Sequence, residues 1–115
     1  MPIKLLVIED DPDGAASVRD AAADGGFEVL VAGTGEAGVA AFREQRPALV
    51  LTDLVLPDID GSEVLRRIQQ LDRRVPVIMM TAYGTVDSSV RALQAGAYDY
   101  IQKPLNLDEL ESTLH

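Results

Sequence analysis

A chain of 115 residues, 47% of them hydrophobic, can bury one sizeable core and is too short to build two. Its formal charge of −9 makes it a poor ligand for nucleic acid, and the absence of cysteine excludes disulfides and thiolate zinc sites and suits a reducing cytoplasm. The single histidine is His115 at the end of the chain, which argues against a buried Ser-His-Asp triad or a histidine-rich metal centre; no apolar run approaches the roughly 20 residues that span a bilayer, and Met1-Pro2-Ile3-Lys4 has no signal-peptide pattern.

Ile3 to Ile8 reads as a short buried strand, followed by Glu9, Asp10 and Asp11 in an unbroken row. Pro12 suits the first position of a helix, which makes Asp11 its N-cap. That helix runs to about Asp24 and stops at Gly25-Gly26. With Asp11 engaged as a cap, Glu9 and Asp10 stand at the strand mouth without a structural role.

Phe27 to Ala32 is a second strand. Gly33-Thr34-Gly35-Glu36-Ala37-Gly38 opens a helix that carries Val39, Ala40 and Phe42, continues to Gln45 and ends at Arg46-Pro47. The hexapeptide fits the dinucleotide-binding pattern G-x-G-x-x-G, after a strand and before a helix. It falls on the second strand–helix unit, however, and the chain is too short for both halves of a dinucleotide fold. A loop with Thr34 or Glu36 at the helix start is the favoured reading.

Leu49-Val50-Leu51-Thr52 has the Leu- and Val-rich pattern of a strand buried on both faces, and Asp53 interrupts it. A charge in such a run costs several kcal/mol unless it is paired, metal-bound or at the strand's mouth. Pro57, Asp58, Asp60 and Gly61 follow at once, so Asp53 lies at the carboxyl end, where open α/β sheets bind ligands. Taken alone, Asp53 reads more readily as a cap for the next turn. Asp60-Gly61-Ser62 begins a helix with Val64, Leu65, Ile68 and Leu71 on one face. Asp58-x-Asp60-Gly61 shares part of a calcium loop, but an EF-hand needs acids where Leu56 and Arg67 stand. Asp11 and Asp58 are read as structural.

Pro76 to Met80 is a fourth buried strand, ending at Thr81-Ala82. The next helix is expected over about Val86 to Ala95, with Val86, Val90 and Leu93 inward, Asp87 and Arg91 as a surface pair, and Gly96 as its stop. Tyr98 to Gln102 is a fifth strand, with Lys103-Pro104 directly after it. Asn106 starts a last helix, with Glu109 completing a capping box and Leu107, Leu110 and Leu114 on the inner face. No stop signal precedes His115, so the final helix is expected to be truncated and the chain to be part of a longer protein.

Five strand–helix units without a repeat imply one domain over 1–115, a parallel sheet with helices on both faces. All carboxyl ends of a parallel sheet lie on one edge, so Glu9, Asp10, Asp53, Thr81 and Lys103 share a rim. With strand order 2-1-3-4-5, the first and third strands meet at the switch point where ligands collect. Three carboxylates there, at about 5 Å and an effective dielectric near 20, repel by on the order of 3 kcal/mol per pair. A hard divalent cation relieves this, and Mg²⁺ fits because it accepts few protein ligands and keeps waters. A carboxylate beside Mg²⁺, a lysine and a hydroxyl is equipped to attack a phosphoryl group: the cation and Lys103 neutralise its oxygens, and Thr81 donates to one of them.

Four pieces of the chain, in order, resemble the receiver domain of bacterial two-component response regulators: Val7-Ile8-Glu9-Asp10-Asp11; Thr52-Asp53-Leu54-x-Leu56-Pro57-x-x-Asp60-Gly61; Met80-Thr81-Ala82; and Gly96-Ala97-x-Asp99-Tyr100-x-x-Lys103-Pro104. Each is weak alone; together at these spacings they are highly specific and cover the whole chain. The resemblance implies a flavodoxin-like doubly wound (βα)5 fold and a phosphorylation-activated signalling domain. In that family's terms Asp53 is the phosphoacceptor from a histidine kinase's phosphohistidine. Glu9 and Asp10 are the acid pair for Mg²⁺, with Mn²⁺ as a substitute, and Asp53 and the backbone carbonyl of Val55 complete the protein ligands. Thr81 and Tyr100 form the switch pair, and Lys103 binds phosphate before a cis Pro104. The first acid is Glu9 where Asp is commoner, and its extra methylene suits a water-mediated role.

The resemblance further implies a cytoplasmic protein that catalyses its own Mg²⁺-dependent phosphotransfer and dephosphorylation and no other reaction. Its partners would be a sensor histidine kinase or phosphotransfer protein, a C-terminal output domain (a transcription regulator or hybrid kinase) and a second copy in a phosphorylation-dependent homodimer, with no direct contact to nucleic acid or membrane. The 81–104 stretch looks more like the receivers of enhancer-binding regulators or hybrid kinases than those of winged-helix regulators. Two other classes are weighed beside this one: a nucleotide-binding enzyme fragment, from the glycines of 33–38, and a pseudo-receiver that never turns over phosphate.

Overall fold

Short apolar runs bracketed by Gly, Pro and Asp become the five strands of one parallel sheet: β1 (Ile3–Ile8), β2 (Phe27–Ala32), β3 (Leu49–Asp53), β4 (Val77–Thr81) and β5 (Asp99–Gln102). Their order is β2-β1-β3-β4-β5, with every neighbouring pair parallel. The computed structural model describes residues 3–81, 90–91 and 93–102. Among them three helices are complete: α1 (Pro12–Asp24), α2 (Gly35–Gln45) and α3 (Gly61–Leu71). This is the flavodoxin-like doubly wound arrangement expected from the sequence.

The sheet is covered on both faces, which is why its central strands carry almost unbroken apolar runs. Leu6, Ile8, Val50, Val77 and Met79 pack with Val39 and Phe42 of α2 and Val64, Leu65 and Ile68 of α3. The alternate residues Leu5, Val7, Leu51, Ile78, Met80 and Ile101 pack with Val18 and Ala22 of α1. Among the described residues no helix is long and apolar enough to cross a membrane.

Side chains fix where the helices begin. Asp11 accepts from the N–H groups of Asp13 and Gly14, with Pro12 opening α1. Thr34 Oγ1 accepts from the Ala37 N–H at 3.0 Å, and Asp60 Oδ1 from the Glu63 N–H at 2.9 Å. The α2 end is unusual: Arg46, not a glycine, takes the left-handed conformation at φ 46°. Its guanidinium lies 5.5 Å from the Phe42 ring centroid and donates to the Leu71 carbonyl at 3.2 Å, contacts that offset the backbone strain.

Three expectations shift. β4 starts at Val77, because Pro76 has no N–H for the ladder, although its carbonyl still accepts from Val50 at 3.1 Å. β5 starts at Asp99; Tyr98 donates its N–H to Val77 but leaves its ring exposed. The third is a correction of facing. Val90 and Leu93 are helical, yet they are 44% and 47% exposed, while Ala97, just past the helical stretch, is buried. Helical periodicity marks an apolar stripe without saying which way it points. Gly96 ends that helical stretch as expected, with φ 109° and its N–H bonded to the Leu93 carbonyl. The expectations for Val86, Asp87, Lys103, Pro104, Asn106, Leu107, Glu109, Leu110 and Leu114 lie outside the described residues.

Candidate functional site

The sheet brings β1 beside β3, with Ile8 opposite Thr52. One residue further on, Glu9 comes level with Asp53. The Glu9 N–H donates to the Ala32 carbonyl at 2.9 Å, so the chain stays tied to β2 until the acids are reached. Capping of α1 by Asp11 then turns it away. Glu9 and Asp53 are 3% and 7% exposed, while Asp10 faces solvent. One oxygen from each of the three carboxylates lies within 4.8 Å of the others.

That donor set is hard oxygen only, carries three negative charges and is open to water on the Asp10 side. It suits Mg²⁺, which keeps several waters and takes few carboxylates, and it offers nothing to a thiophilic metal. Asp53 is further oriented by the loop that follows it: the Val55 N–H donates to Asp53 Oδ1 at 3.2 Å. The loop is held at both ends, Leu54 N–H on the Met80 carbonyl and Gly61 N–H on the Leu54 carbonyl, each at 2.8 Å. A Cβ at position 61 would overlap the Asp53 carbonyl oxygen and lie 2.9 Å from Leu54 Cα. Glycine there lets α3 begin directly against the end of β3.

Thr81 is buried at the last position of β4, one residue past Met80, the partner of Asp53. Tyr100 pairs with Met79 and is half-buried against the core of the α2–α3 side. Strand alternation puts Thr81 and Tyr100 on the same face of the sheet, two residues apart in register. Val55 contributes backbone to the rim while its side chain is exposed. Lys103 lies outside the described residues.

Sequence reasoning missed the partner of Asp58. Its two carboxylate oxygens accept from the N–H groups of Gly35 and Glu36, both at 2.8 Å. The loop after Asp53 therefore caps α2 across the fold. The Glu36 N–H bond, chiefly, holds the Asp58 carboxyl below its usual range. This also answers the G-x-G-x-x-G match. The donors that would cradle a pyrophosphate already hold a carboxylate. Packing accounts for the second and third glycines, since a Cβ at Gly35 would overlap Ile59 and one at Gly38 would overlap Ile8, whereas a Cβ at Gly33 would meet nothing within 4 Å. Beside this clamp, Arg67 donates to Glu63 of its own helix at 2.8 Å and to Glu36 of α2 at 2.9 Å. Hydrogen bonds from Arg66 and then Arg67 lower the Glu63 carboxyl to about 2.

Residues 5–115 match the family model described as the response regulator receiver domain. The chain is 37% identical over 107 residues to regulatory protein AtoC of Escherichia coli K12, an alignment that covers 93% of this chain and 23% of that protein. It is 36% identical over 109 residues to the probable transcriptional regulatory protein TcrX of Mycobacterium tuberculosis H37Rv, covering 95% of this chain and 47% of that one. It thus spans between 23% and 47% of the length of these curated relatives. Among solved structures, a CheY-like response regulator receiver domain protein from Methanospirillum hungatei superposes with a TM-score of 0.93 at 32% identity, covering 99% of this chain and 91% of the other.

Proposed function

The chain belongs to the response regulator receiver domain family, and from that premise we propose that it is the phosphoacceptor module of a two-component system, in which Asp53 takes a phosphoryl group from a histidine kinase or phosphotransfer protein. The observation that carries this reading is the convergence of Glu9, Asp10 and Asp53 within 4.8 Å at the carboxyl edge of a parallel sheet. Glu9, Asp10, Asp53 and the Val55 carbonyl would hold Mg²⁺. When bound, the cation would offset part of the negative charge of the three carboxylates and of an incoming phosphoryl group. The Val55 N–H holds the Asp53 carboxylate in one rotation, so that an oxygen can attack phosphorus in line. The new O–P bond forms as the P–N bond to the donor imidazole breaks, its electron pair returning to that nitrogen.

Lys103, by its place after β5, would pair with the phosphoryl oxygens. The Thr81 hydroxyl would turn toward them, and Tyr100, on the same face of the sheet, would follow into the space left behind. The altered surface would lie on the side of β5 and the helical residues around Arg91. Such a switch shifts an existing equilibrium, bounded by the difference in phosphoryl contacts between the two states. In this reading 1–115 is one cytoplasmic receiver that governs an output domain or partner, with a phosphorylation-dependent homodimer as one form of that output.

The test is direct. Incubation with a small phosphodonor and Mg²⁺ is expected to add one acid-stable, base-labile phosphoryl group, and Asp53→Asn to abolish it. Label mapped by peptide analysis to Asp10 or Asp58 refutes the assignment. Mg²⁺ binding without any label under these conditions favours the pseudo-receiver instead.

A further inference from the structure

We propose that Gly14 is a positioning residue: it makes the room that lets a glutamate, Glu9, serve as the first acid of the cluster. The proposal rests on the reading of Glu9, Asp10 and Asp53 as a Mg²⁺ site. Glycine at this position has no local explanation. It is the third residue of α1, where glycine is a poor helix former. Among the described residues the glycines with positive φ are Gly26 and Gly96, so the backbone at 14 accepts any L-residue. Its N–H bond to Asp11 is made by backbone and needs no particular side chain.

Space explains it. A Cβ at position 14 would stand 2.8 Å from Glu9 Oε1, 3.6 Å from Glu9 Cδ and 3.3 Å from Asp11 Oδ2. The first distance is one that real Cβ atoms do not adopt, so something must move. The atom in the way is the far end of a flexible side chain, which the fold can relocate easily. It is also a carboxylate oxygen of the acid cluster. Glu9 is almost fully buried, so the added methylene of glutamate has to be housed inside the protein. The bare Cα of Gly14 borders that volume. An aspartate at position 9 would end one carbon earlier and would remove the closest of these contacts, leaving the 3.3 Å approach to Asp11 Oδ2 in both backgrounds.

The two properties of a Gly14→Ala protein should therefore part company. Its metal-free melting temperature should hold or rise, because alanine favours helix. Its Mg²⁺ dissociation constant should rise by about tenfold, the scale on which displaced supporting contacts weaken a metal site. The experiment compares wild type, Gly14→Ala, Glu9→Asp and the double variant Glu9→Asp/Gly14→Ala. Mg²⁺ affinity is read by NMR chemical-shift titration and melting by circular dichroism with EDTA. In the Glu9→Asp background the alanine should change affinity by less than about twofold, because the conflict is gone. Equal loss of affinity in both backgrounds, or no loss in either, overturns the proposal. If Gly14→Ala alone fails to fold and the double variant folds, the conflict at Glu9 is upheld; if both fail, it is refuted. A Mg²⁺ response that survives Asp10→Asn at full strength undoes the metal-site reading itself, a result distinct from any of these.

Discussion

Asp10→Asn separates what the acid cluster does to stability from what it does for a cation. Asp10 is the exposed member of the trio, and its carboxylate lies within 4.8 Å of both Glu9 and Asp53. Coulomb repulsion at that distance is about 3.5 kcal/mol per pair at a dielectric of 20 and about 0.9 kcal/mol in water. Because Asp10 faces solvent, the water value is the appropriate one, and neutralising it relieves about 2 kcal/mol over two pairs. For a domain of 115 residues the unfolding entropy is about 240 cal/mol/K, so the metal-free melting temperature should rise by about 8 °C. The assay is thermal unfolding followed by far-ultraviolet circular dichroism, in EDTA and in Mg²⁺. The gain should shrink in 1 M KCl, where the screening length falls to about 3 Å. Wild type should gain about 2.7 kcal/mol at a hundredfold excess of Mg²⁺ over its dissociation constant, and Asp10→Asn much less. An Asp10→Asn protein that melts lower in EDTA and keeps the full Mg²⁺ response refutes the reasoning and makes this carboxylate structural.

Gly38→Ala should lower stability in urea unfolding even though helix propensity favours alanine by about 1 kcal/mol, because the new Cβ would press on the Ile8 side chain and overpacking costs about 1–3 kcal/mol. Adding Ile8→Val should recover part of the loss, whereas a stabilised Gly38→Ala would contradict the packing account. Stability should also fall in acid through two identifiable carboxylates. Both Asp58 and Glu63 are held below their ordinary values when folded, so each contributes stability that is complete above its unfolded value and lost as pH falls through its folded one. For Glu63 that window runs from the ordinary 4.5 down to about 2. Glu63→Gln and Asp58→Asn should each flatten the acid limb of a plot of melting temperature against pH, and an unchanged limb would show that these bonds do not persist in solution.

Strand positions were legible because β1, β3 and β4 are buried on both faces and must be apolar almost throughout. The start of α1 was equally plain, since Asp11 followed by Pro12 states cap and first turn together. The convergence of Glu9, Asp10 and Asp53 followed from topology alone: once the sheet is parallel, strand ends have nowhere else to be. What stayed hidden depends on direction or on distant partners. The Val90–Leu93 stripe has the spacing of an inward face, and only the exposure of both side chains in the fold shows that it points out. Asp58 looked like a turn residue because its acceptors' partners, the amides of Gly35 and Glu36, belong to another unit and leave no local trace. Gly38 carried a nucleotide-like pattern for an unrelated reason, the approach of α2 to Ile8.

The pairing of β1 with β3 has a consequence for the timing of activity during synthesis. Two of the three acids leave the ribosome with the first strand, and the third arrives only after two complete crossover units. Closing so long a loop is entropically slow, and parallel pairing is rewarded late. A nascent chain halted before β3 holds Glu9 and Asp10 without Asp53 beside them. On the proposed function, competence to be phosphorylated would not precede long-range folding, and partial unfolding that parts β1 from β3 would remove it again. Phosphorylation by a small donor would thus report the integrity of the whole central sheet, a global property, through one residue.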